Sequence, residues 1–66
     1  MNRLKDKQVA VRLKSIEELV LLEAFEALDI LRELYETDED ADVRKAAQQA
    51  GRKLFMLQRA RANGEE

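Results

Sequence analysis

From Val9 to Leu57 apolar residues recur at helical spacing, and Thr37-Asp38-Glu39-Asp40 is the one stretch that breaks the pattern. The 66 residues include no proline, and the two glycines are Gly51 and Gly64. Alanine, leucine, glutamate, lysine and arginine dominate, and these are strong helix formers. No β-branched run alternates with polar residues, so strand signals are absent. The expected fold class is all-α.

Three helices account for the pattern. The first is expected over about residues 7–21, where Val9, Leu13, Ile16 and Val20 form one stripe. Val11, Leu19 and Leu22 fall outside it, which implies more than one neighbour. The second is expected over about 23–36, with Ala24, Leu28, Leu31 and Tyr35 on a stripe that Phe25, Ala27, Ile30 and Leu34 widen. That width predicts the most buried helix of the three, with Phe25 and Tyr35 in the core. The third is expected over about 41–60, on Val43, Ala47, Ala50, Leu54 and Leu57. Gly51 in mid-helix costs about 1 kcal/mol relative to alanine, so it is read as a point of close helix packing. Residues 61–66 read as a frayed tail, with Asn63-Gly64 as the helix stop. The whole chain, 1–66, is expected to be one small helical domain.

The first junction is open to a second reading. "ELVLLEAFEAL" contains no glycine, proline or good cap, so one helix from about residue 7 to 36 satisfies local propensity equally well. The product would be a long helical hairpin that dimerises into a four-helix bundle.

Composition removes several kinds of chemistry. With no cysteine and no histidine, thiolate nucleophiles, disulfides and the commonest general base are all missing. Carboxylate pairs such as Glu17-Glu18 and Glu33–Glu36 remain, but they read as solvated helix faces. An enzyme is not expected, and neither is a cofactor. The opening "MNRLKDKQVAVR" lacks the apolar core of a signal peptide, and the longest apolar runs are only residues 19–22 and 54–57. A soluble cytoplasmic protein is expected.

Charge is unevenly distributed around a net of −2. Residues 1–16 carry five bases against one acid, residues 17–42 eleven acids against one arginine, and residues 43–61 six bases and no acid. Both ends should therefore pack on the middle, and the acidic middle argues against nucleic acid. The basic set Lys45, Arg52, Lys53, Arg59 and Arg61 still permits weak phosphate contact, although no aromatic residues interleave with it.

The aspartates of "TDEDADVRKAAQQAG" alternate like the opening ligands of a calcium loop. Such a loop needs glycine at its sixth position and glutamate at its twelfth. Counted from Asp38 these are Val43 and Gln49, so no metal is expected. Thr37, Asp38 or Asp40 instead serves as the cap of the third helix.

At "LDILRELYETDEDADVRKAAQQAGRKL" the sequence resembles a HEAT repeat, in particular the bacterial type related to phycobilisome lyase repeats. Leu28, Leu31 and Leu34 match a leucine-rich first helix, Asp38 and Asp40 an acidic turn, and Val43, Arg44, Ala46, Ala47 and Ala50 the small-residue second helix. A shift of 32 residues lays Asp6 on Asp38, Val11 on Val43, Arg12 on Arg44, Ser15 on Ala47 and Leu22 on Leu54. Leu19 falls on Gly51, where the two helices disagree. The resemblance covers about residues 6–57 and implies a fragment of an α-solenoid, roughly one and a half repeats.

That resemblance carries functional expectations. It implies a non-catalytic scaffold that binds another protein or itself, a homo-oligomer being expected because stacked repeats bury their faces on neighbours. Leu4, Val11, Phe55 and Met56 are candidates for the uncovered surface, and Lys14, Glu18, Gln48 and Arg52 for partner contacts. In such repeats the arginine after the valine bonds an aspartate of the adjacent turn. This implies Arg12 with Asp38 or Asp40, or Arg44 with Asp6, as pairs that fix the stacking angle. The alternatives are the homodimeric bundle and a weak nucleic-acid binder acting through the third helix.

Overall fold

A computed structural model describes residues 7–64. It contains α1 (Val9–Leu21), a 3-10 turn (Phe25–Ala27), α2 (Leu28–Thr37) and α3 (Ala41–Ala62), with no strand among the described residues. The chain is all-α.

The junction after α1 is a Schellman motif. Glu23 N–H donates to the Val20 carbonyl and Ala24 N–H to the Leu19 carbonyl, each at 3.0 Å. Glu23 takes the left-handed conformation this closure needs, at φ 52°. A continuous helix through residues 21–23 is thereby excluded, and with it the long hairpin. The reversal and the 3-10 turn together use residues 22–27, so α2 begins at Leu28, later than the expected residue 23.

The turn before α3 is organised by its aspartates. Asp40 is the cap: its Oδ1 accepts the N–H groups of Asp42 and Val43 at 2.8 and 3.0 Å. Asp38 Oδ1 accepts Asp40 N–H at 2.9 Å, and Thr37 Oγ1 donates back to the Glu33 carbonyl at 2.7 Å. Asp42 in the first turn and Arg59 and Arg61 in the last complement the helix dipole. The helix stops at Asn63, followed by Gly64 at φ 78°.

Helix α3 runs past the expected end to Ala62, and Arg61 ion-pairs with Glu23. Residues 61 and 62 are thus helical, not frayed. That pair holds the end of α3 beside the α1–α2 corner, so α2 and α3 are antiparallel while α1 runs alongside α3 in the same direction.

The core lies where α3 meets both neighbours. It comprises Ile16, Leu31, Leu34, Val43, Ala47, Ala50 and Leu54, with Leu13, Leu19, Val20, Phe25 and Leu28 packed around it. Helix α3, flanked on two sides, supplies four buried residues from 22, and the shorter α2 two from 10, so the two are buried to a similar degree. Phe25 packs on the core as expected, whereas Tyr35 is 43 % exposed at the far edge of the α2 stripe. Gly51 is not a point of close packing: a Cβ added there would meet no atom within 4 Å.

Candidate protein-docking surface

Two features could carry a partner: the charged turn that joins the layers and the grooves beside α3. The turn is held from both directions. From α1, Arg12 ion-pairs with Asp38, its Nη2 donating to Oδ1 at 3.3 Å and its Nε lying 3.1 Å from Oδ2. Both side chains are nearly enclosed, 13 % and 7 % exposed, so the pair is shielded from solvent. From α3, Arg44 Nη1 donates to the carbonyls of Asp38 and Glu39 at 2.7 and 3.1 Å. Arg12 therefore bridges two layers, and Arg44 closes its own turn. Asp6, the other expected partner of Arg44, lies outside the described residues, as does Leu4.

One groove, of about 390 Å³, runs between α1 and α3 over Leu13, Val20, Ala46, Gln49, Ala50 and Lys53. A larger one, of about 540 Å³, runs between α2 and α3 over Leu28, Tyr35, Ala47, Gly51 and Phe55. Gly51 opens the second by leaving space where a side chain would stand. Asp29, Arg32, Gln48 and Arg52 also line it, and the Arg59 guanidinium lies 5.9 Å over the Phe55 ring.

Of the expected contact residues, Gln48 and Arg52 line the larger groove. Lys14 and Glu18, one turn apart on α1, line neither groove. Phe55 and Met56 are exposed and Val11 is half-buried. Sequence reasoning missed the α2 side of the groove, Leu28, Asp29, Arg32 and Tyr35, together with the exposed Leu21 and Leu22. The available signal for these was the 32-residue shift: Leu54 is fully buried within α3, but its equivalent Leu22 falls in the turn that ends α1 and is 76 % exposed.

Among the described residues no group of three carboxylates is placed to hold a metal ion, and no helix is long and apolar enough to cross a membrane.

No curated protein and no solved structure matches the chain. A family model described as HEAT repeats matches residues 1–51. Repeats of this kind generally mediate protein–protein interaction and are generally non-enzymatic. The match spans most of the chain and the first two helices of the observed layering, so this protein belongs to the HEAT repeat family.

Proposed function

We propose that the chain is a non-catalytic scaffold module of the cytoplasm that docks another polypeptide in the groove between α2 and α3. The observation that carries this reading is the groove itself, about 540 Å³ with half-exposed Tyr35 and Phe55 at its edges, in a chain of a family that binds proteins. Gln48 and Arg52 are the contact residues, joined by Asp29, Arg32, Tyr35 and Phe55. The "VR" opening and small residues of α3 support assignment to the phycobilisome lyase type of HEAT repeat.

The charged turn has a structural part in this reading. Arg12 on Asp38 fixes the angle between the layers, Asp40 starts α3, and Arg44 sets the turn that receives Arg12. Asp6 is the equivalent position one repeat earlier.

A photo-crosslinking amino acid placed at Arg52 tests the reading against the same group at Glu26, which is exposed elsewhere. Position 52 should capture a polypeptide in cell extract and position 26 should not. Equal capture from both positions, or none from 52, contradicts the reading.

A further inference from the structure

The 32-residue shift lets one part of the molecule report on another. On α1 the face turned to the next layer carries Arg12, Ser15 and Leu19; Ser15 is buried and Leu19 packs on the core. The equivalent positions on α3 are Arg44, Ala47 and Gly51, and the last two line the open α2–α3 groove. That groove is thus the face on which another helical layer would lie.

The opposite end is built differently. Ala46 and Ala50 present methyl groups to α1 across the smaller groove. Their equivalents on α1 are Lys14 and Glu18. Charged side chains of opposite sign stand where a layer in front of α1 would need small apolar groups, and taking them out of water is costly. That face disfavours head-to-tail stacking, whereas the α2–α3 groove offers small residues.

Charge selects the occupant of the open end. Helix α2 carries Asp29, Glu33 and Glu36 against Arg32, which is already engaged with Glu36 at 3.3 Å. On α3, Arg52 lines the groove and Arg59 lies over Phe55 at its edge, while Arg44 is bound to its own turn, Arg61 to Glu23, and Lys53 lines the smaller groove. A two-fold axis running along the helices lays the acidic α2 of each copy on the basic α3 of the other. The surface is complementary to itself.

We propose that a second copy of this chain occupies the α2–α3 groove, forming a closed two-fold dimer in which Tyr35 and Phe55 of each copy pack into the groove of the other. The proposal rests on the interaction reading above and names its partner. An isologous contact of this kind closes after two copies, so α1 takes no part in it and no filament grows.

Light scattering on size-fractionated protein, from micromolar to millimolar concentration, tests it with three variants. The natural chain should reach twice its monomer mass and go no further. Gly51→Glu places a carboxylate in the groove from a position where a Cβ meets no atom within 4 Å, and glutamate favours the helix over glycine, so helicity is kept. It should raise the dimer dissociation constant about thirtyfold or more, as loss of a central interface position does. Tyr35→Glu should act in the same direction, and Leu22→Asp at the other end should leave the dimer intact. Mass that grows without limit, or a dimer that survives Gly51→Glu and is lost in Leu22→Asp, overturns the proposed surface. A chain monomeric at every concentration that still cross-links another protein through position 52 removes the second copy and leaves the interaction reading standing.

Discussion

Arg12 and Asp38 sit 26 positions apart in the chain and meet through one hydrogen bond, Nη2 to Oδ1, and a 3.1 Å ion contact of Nε with Oδ2 in a nearly enclosed site. Removing either leaves the other charge desolvated, so Arg12→Ala should cost about 1.5–3 kcal/mol, the range for a hydrogen bond to a charged group. Urea unfolding of Arg12→Ala, Asp38→Asn and the double variant should give a coupling above about 1 kcal/mol; additivity within about 0.5 kcal/mol contradicts a direct bridge. Ser15 is the opposite case. Its buried hydroxyl has no hydrogen-bond partner among the described residues, and its counterpart in the second layer is Ala47. Ser15→Ala should raise stability by about 1 kcal/mol, because it removes a polar group that burial leaves unsatisfied. A lower thermal midpoint would mean that the hydroxyl is satisfied in solution.

At the scale of the element, the three helices and the Asn63-Gly64 stop were legible because apolar spacing and turn chemistry are local. The cap narrowed from three candidates to Asp40 only in the structure, since Thr37, Asp38 and Asp40 are all chemically suited. The break after α1 falls where the three-helix reading put it, but the sequence left a continuous helix open for a physical reason: its left-handed position is held by a glutamate, where glycine is usual, and its two closing bonds use only backbone. The same corner explains the late start of α2. Comparing Glu23→Gly with Glu23→Ala removes the side chain's ion pair from both and isolates the backbone term. The glycine variant should be more stable by about 1 kcal/mol. Equal stability would mean that residue 23 is not left-handed. Exposure of Tyr35 and the open space at Gly51 were equally hidden, because a helical stripe shows which residues are apolar and not which neighbour is there to cover them.

At the scale of the molecule, the HEAT family match and the observed layering describe a second-type helix followed by one complete helix pair. Stability in such arrays is a sum of unit and interface terms, so an uncovered stacking face is a missing interface term. Leu22 and Leu54 occupy equivalent positions, which defines how the array would continue. A chain in which residues 23–62 follow directly after Leu54 adds one more helix pair in the register the protein already uses. Urea unfolding of this extended chain beside the parent tests the central claim that the α2–α3 face is an open repeat edge. The account predicts one cooperative transition at a higher midpoint, because the added pair buries the groove; a midpoint at or below that of the parent, or two separate transitions, would contradict it.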